Sequence, residues 1–192
     1  MLLDPHDRVG IESYLLQRGL AKRSEFPGSI ESAGSGNMNL TLRVTLASRS
    51  LILKQGRPWV EKYDHIEAPW DRTLIEGRFY EAVRGDREVS GRMPEILDLD
   101  PHNHVLALSD AGALGDFTSI YADGEISAAT LDELLNWLNA LGAVAIPGDR
   151  QDAFANRPMR ALNHEHIFRL PLAHDNGLDL DRITDVLARV AE

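Results

Sequence analysis

The stretch ESAGSGNMNLTLRV, Glu31 to Val44, packs two glycines and two asparagines into a turn and then runs into alternating apolar residues. Leu40, Leu42, Val44 and Leu46 fall on one face at period two, which predicts a half-buried strand. A glycine turn that opens into a helix has a known use in holding phosphate. This one opens into a strand, so its use must be different. The residues ASRS turn the chain and LILK returns as a second strand. Residues 29–54 thus read as antiparallel strands joined by tight turns. Pairing of 37–46 with 50–55 puts Leu42, Val44, Leu51 and Leu53 on one buried face.

Working outward, Ile11, Tyr14, Leu15 and Leu16 share one side at helical spacing and predict an amphipathic helix over 7–20, with Gly19 near its end. The segment from Gln55 to Trp70 is polar, with Pro58, Trp59, Pro69 and Trp70 towards its ends, and reads as a long loop. Helical spacing resumes after it. Leu74, Ile75, Phe79, Ala82 and Val83 form an apolar stripe, and Gly85 supplies a stop. MPEILDLD and HVLALSD are strand-like runs hinged on PHN, a hairpin pattern.

After Ser109 the chain turns helical. A short helical piece is expected around GDFTSIYAD. Thr130 and Glu133 then stand at capping-box spacing around the start of a run with Leu131, Leu134, Leu135, Leu138 and Leu141. RPMRALNHEHIF suggests a short helix. Leu180, Ile183, Leu187 and Val190 mark a last one, which reaches Glu192 without a glycine stop, as though the chain ended in mid-structure. The expected organisation is a sheet-rich lobe over 1–109 and a helical lobe over 110–192. The fold class is α+β, a five-stranded antiparallel sheet with one packed helix followed by the beginning of a helical lobe.

Composition narrows the function. The formal net charge is -10, and no basic run offers a track for phosphates, so nucleic acid is not expected as a partner. The absence of cysteine excludes disulfides, thiolate zinc sites and a thiol nucleophile. MLLDPHDRVG is not built like a signal peptide, and no run approaches the roughly 20 apolar residues of a membrane span. A cytoplasmic protein without membrane contact is expected.

Three phosphate motifs compete for GSGNMN. A P-loop needs Lys and Ser or Thr directly after its last glycine, but Asn37 and Met38 follow Gly36. The dinucleotide fingerprint needs a glycine where Asn39 stands, and a helix after it. A glycine-rich hairpin over nucleotide phosphates needs neither. It asks for a lysine on a following strand and a glutamate on the next helix to hold that lysine. Lys54 closes the apolar run LILK, and Glu76 borders the stripe of the next helix. A half-buried lysine keeps its charge most easily beside a carboxylate. Taken singly, each feature also suits a plain turn and an ordinary strand end; together they come in the right order on the right elements.

With GNMNLTLRV, SLILKQ, WDRTLIEGRFYEAV and MPEILDLDPHNHVLALSD in place, the chain resembles the methylthioribose kinase and aminoglycoside phosphotransferase group. These are small-molecule kinases with a protein-kinase-like fold, and the likeness covers most of residues 25–170. It implies that Gly34, Ser35, Gly36, Asn37 and Asn39 close over ATP phosphates, and that Lys54 contacts them while pairing with Glu76. Leu106 to Asp110, with Leu108, Ser109 and Asp110 as its core, would be a hinge whose backbone binds adenine. ATP and Mg²⁺ are the implied cofactors and a small-molecule hydroxyl the implied acceptor; a homodimer is left open.

The chain departs from that group where catalysis should sit. The group needs an Asp in an H-x-D motif, an Asn five residues later and a further metal-binding Asp. In LAHDNGLDL, His174 precedes Asp175 without a spacer, and Leu180 stands where Asn is needed. No catalytic residue and no metal ligand is therefore assigned. The chain reads as a kinase that stops before its catalytic loop, or alternatively as a non-catalytic nucleotide-binding or regulatory module. His164 and His166 flank Glu165, but two residues apart on a helix they face different ways, so no metal site is read there. His65 carries no signal.

Overall fold

A computed structural model describes residues 1–26, 28–34, 36–112, 117–118, 120–121, 124–173 and 176–177. The chain divides into two compact units, Met1–Phe154 and Ala155–Glu192. The lobe boundary read at residue 109 falls inside the first of them.

The first unit is mixed α+β. Its strands are β1 (Ser29–Ser32), β2 (Leu40–Thr45), β3 (Ser50–Gln55), β4 (Trp59–Val60), β5 (Tyr63–Glu67), β6 (Ile96–Asp100) and β7 (Val105–Ser109). Its α-helices among the described residues include α1 (Arg8–Gln17), α2 (Arg72–Val83), α3 (Arg87–Ser90) and α4 (Ala128–Ala143). Five strands form one antiparallel sheet in the order β1-β2-β3-β7-β6. The expected hairpin is present, with Leu42 opposite Leu53 and Val44 opposite Leu51.

Alternation divides the sheet into two faces. Leu40, Leu42, Val44, Leu51, Leu53, Val105 and Ala107 join Ile11, Tyr14 and Leu15 of α1 in one buried cluster. On the other face, α2 lies against β6 and β7, where Leu106 and Leu108 are buried. Helices therefore cover both faces, where a single packed helix was expected. The face under α2 carries Thr41, Arg43, Ile52 and Lys54, which stay half-buried towards β2 and β3.

Two buried polar groups tie distant segments to this frame. Gln55 is fully buried; its Oε1 accepts the Leu3 N–H, and its Nε2 donates to the carbonyls of Met1 and Asn103. Asp100 accepts hydrogen bonds from Tyr14 of α1 and from Asn103 in the β6–β7 turn. Burial by itself would raise the Asp100 carboxyl, but the hydrogen bonds from Asn103 and Tyr14 hold it below its ordinary value.

The structure also corrects the sequence reading at two elements. The polar segment 55–70 is not a loop throughout, because β4 and β5 pair antiparallel within it. Helix α4 begins earlier than its capping-box residues suggested. Ser127 is its N-cap and accepts the Thr130 N–H, so Thr130 lies inside the first turn. In its leucine stripe, Leu134 and Leu141 are half-buried, whereas Leu131, Leu135 and Leu138 are each at least 40% exposed among the described residues. Trp137 still anchors the helix by donating to the Val89 carbonyl of α3 at 3.1 Å.

In the second unit, α5 (Arg157–Asn163) runs into a π-helical turn over His164–Arg169. Glu165 pairs there with Arg169 along the helix. The expected helix over 180–190 lies outside the described residues, as does much of the piece over 115–123.

Gln55→Leu keeps the volume but strands one buried N–H and two part-buried carbonyls. Each lost partner costs about 1 kcal/mol or more, so the variant is expected to unfold about 2–4 kcal/mol more easily. Urea midpoints of the two proteins check this; an unchanged midpoint would show that water replaces the amide.

Candidate functional site

Lys54 and Glu76 meet. The Lys54 ammonium lies 2.6 and 2.7 Å from the two Glu76 carboxylate oxygens. The two side chains are 23% and 26% exposed, so the pair is screened by protein on most sides yet open to a ligand. Register explains the placement on the strand. Lys54 stands opposite Thr41 and Leu106, and Leu106 stands opposite Leu99. Alternation then turns Lys54 away from the α1 core and towards α2.

Packing explains the placement on the helix. Gly77, next to Glu76, is buried against Leu99 of β6, and a Cβ there would sit 2.8 Å from a Leu99 methyl carbon. Glycine inside a helix costs about 1 kcal/mol relative to alanine, and here it lets α2 come close to the sheet. Nothing in the apolar stripe signalled this residue.

The turn between β1 and β2 projects from the same end of the sheet. Gly34 adopts a left-handed conformation with φ of 74°, which favours glycine. The Ala33 N–H donates to the Thr41 carbonyl at the base of the turn. Gly36 and Asn37 are exposed, whereas Asn39 is half-buried; Ser35 lies outside the described residues. Asn39 Oδ1 accepts from Arg72 Nε at 2.6 Å. Because Lys54 pairs with Thr41, the ammonium stands two residues along β2 from Asn39.

The other end of this face is built around Asp110. Arg43 of β2 grips its carboxylate with two N–H groups at 2.7 and 3.1 Å, Ser50 Oγ approaches to 2.6 Å, and the Gly112 N–H donates at 2.9 Å. Hydrogen bonding from Arg43 outweighs the opposing effect of burial and, with Ser50 and Gly112, holds the Asp110 carboxyl down to about 2. Leu108 is buried under α2, opposite Ile52 and Ile96. Ser109 meets Glu95 twice: its N–H donates to the Glu95 carbonyl and its Oγ accepts the Glu95 N–H.

Lys54, Glu76 and the turn thus lie towards one end of this face and Asp110 towards the other, with Leu108 buried between the sheet and α2; Ser109, opposite Leu51, alternates to the α1 side. Rows two residues apart along a strand are separated by about 6.6 Å, so Lys54 and Ile52 sit that far apart on the face. A separate hollow between α2 and α3, lined by Tyr80, Arg84, Met93 and Glu95, holds none of them. Among the described residues no group of three or more His, Asp or Glu side chains comes together to hold a metal ion. His164 and His166 lie on the π-helical turn of the second unit, and His174 and Asp175 lie outside the described residues. No protein-family model matches the chain, and no curated protein matches it.

Sequence reasoning missed Arg72, at the first position of α2, which is 7% exposed. An arginine beside the expected start of a helix reads as a solvated charge, and only the folded arrangement of backbone carbonyls shows otherwise.

The Asp110 cluster makes a pH prediction. A carboxyl held below its ordinary 3.8 adds stability that is complete above that value and fades as pH falls towards about 2. Asp110→Asn is expected to be less stable than wild type by roughly 1–2 kcal/mol near neutrality, allowing for the partial exposure of Arg43. The gap should close as pH drops through that window. Urea midpoints near neutral pH and near pH 2.5 measure it; a gap of constant size would show that charge is not what Asp110 contributes.

Proposed function

We propose that the first unit is the nucleotide-binding lobe of an ATP-dependent phosphotransferase acting on a small-molecule hydroxyl, of the methylthioribose kinase and aminoglycoside phosphotransferase type. The observation that carries this reading is the two-pronged Lys54–Glu76 pair, formed on the sheet face beside the glycine turn. A carboxylate that holds an ammonium from one side leaves its remaining N–H directions for phosphate oxygens. The antiparallel sheet order, with its helix α2 bearing Glu76, supports a kinase-like lobe.

The face has a polarity suited to a nucleotide. Half-buried Ile52 offers an apolar surface of the kind a purine ring favours, while Leu106 and Leu108 beside it are sealed under α2 and back it from within. Phosphates would then extend towards Lys54 and the turn at Gly34, Gly36, Asn37 and Asn39. Since the Ser109 N–H is engaged with Glu95, a backbone N–H contact to the base would come from Asp110 onward. Bound ATP supplies the phosphoryl group for an acceptor hydroxyl. These residues bind and orient, and among the described residues no group of three or more His, Asp or Glu side chains comes together to hold Mg²⁺.

Lys54→Ala is the direct test. Loss of a charge-assisted contact to phosphate should weaken ATP binding about tenfold, equivalent to about 1.4 kcal/mol. Adenosine binding should change little, and the unfolding midpoint should fall only modestly, because Glu76 loses its partner but keeps access to water. Titration calorimetry with both ligands checks this. Absence of ATP binding, or binding indifferent to Lys54, would sink the reading. ATP binding without transfer to any sugar or aminoglycoside hydroxyl would favour the non-catalytic module instead.

A further inference from the structure

We propose that Arg72 is the positioning residue of the phosphate site, acting through the turn it holds rather than by touching the nucleotide. This inference rests on the nucleotide reading of the same face. Arginine carries five N–H donors in a fixed planar fork. Each has an acceptor here. Nε donates to Asn39 Oδ1, Nη1 to the carbonyls of Arg57 and Pro69, and Nη2 to the carbonyls of Met38 and Trp59. The acceptors come from the exit of the glycine turn, the entry and first residue of β4, and the approach to α2.

All five acceptors are uncharged. The carboxylate acting on Arg72 is that of Glu61, which itself pairs with Arg57 at 3.0 Å. Burial pulls the guanidinium down to about 10, which still leaves it charged at neutral pH. A buried cation satisfied only by neutral oxygens keeps a positive field at the base of the turn.

The turn is gripped from a second side. At the tip of the β4–β5 hairpin, the Lys62 N–H donates to the Asn37 carbonyl at 3.1 Å. The carbonyls of Asn37 and Met38 are therefore both drawn towards the hairpin and Arg72. In a trans peptide the C=O and N–H point in opposite directions. The N–H groups of Met38 and Asn39 are consequently aimed the other way, outward from the hairpin. Successive N–H groups pointing in one direction make an anion-binding concavity. Arg72 and the hairpin thus set the orientation of the donors that would receive a phosphate, and the segment 55–70 acquires a role as their brace.

The test compares ATP, inorganic tripolyphosphate and adenosine on wild type, Arg72→Lys and Asn39→Ala. Arg72→Lys keeps the charge but loses the planar fork; Asn39→Ala removes one acceptor of five and protects the test against a failure of the lysine variant to fold. The expected result is about a tenfold loss of ATP and tripolyphosphate affinity in Arg72→Lys and a several-fold loss in Asn39→Ala, with adenosine affinity unchanged within twofold. The tryptophan emission of ligand-free protein should shift in both, since Trp59 hangs on the same fork. ATP and adenosine affinities falling in parallel would show a merely structural role and overturn the proposal. So would a folded variant, with Asn39→Ala deciding alone if need be, that keeps wild-type ATP affinity. If Lys54→Ala weakens ATP binding while these variants do not, the nucleotide reading stands and this inference alone falls. If wild type binds no ATP, both fall.

Discussion

A guanidinium needs five acceptors in one plane, and burying it away from water makes each of them obligatory. Arg72 meets that demand by pulling together three stretches of backbone that are distant in sequence. The remaining features of this end of the molecule follow. The glycine turn cannot drift from the hairpin, the hairpin cannot leave the sheet end, and α2 begins where all of them converge. An apolar residue at position 72 could fill the space, but it would leave four carbonyls and one amide oxygen without donors. Lysine would supply charge without the planar geometry.

The frame itself was legible in the sequence because period-two alternation is a direct image of a sheet with two different faces. Leu40, Leu42 and Val44 announced β2, and LILK announced β3 together with the emergence of Lys54 on the opposite face. Lys54 and Glu76 could be paired on paper because each broke an otherwise apolar pattern. The β4–β5 hairpin could not. Tyr63, Asp64, His65 and Glu67 of β5 are exposed, and only Ile66 is half-buried, so no alternation marks the strand. Its order comes from main-chain carbonyls bound to Arg72, and side-chain patterns carry no trace of backbone acceptors.

The same limit explains Gly77 and Asp110. A glycine inside a helix reads as a weak point until the strand beneath it is known; here Leu99 occupies the space that a Cβ would need. Asp110 reads as one more acid in an acidic chain. Its three partners come from β2, β3 and the residue two places on, and no local pattern links them. Buried polar residues make their case only through contacts of long sequence separation.

The two faces of the sheet divide stability from binding. Leucines, valines and α1 seal one face, and the polar groups buried there, Gln55 and Asp100, are hydrogen-bonded. The other face is closed by α2 over β6 and β7 and left half-open over β2 and β3, where every prominent group is charged or borders a charge. Lys54 is held by Glu76, Arg43 by Asp110 and Ser50, and Arg72 by neutral oxygens alone. A cation shared with a carboxylate, such as Lys54, offers a ligand its remaining N–H donors but a reduced long-range field; the one matched by dipoles keeps more of its own. The surplus of positive potential on this half-open face therefore lies beneath the glycine turn, in a chain whose net charge of -10 would otherwise repel an anion.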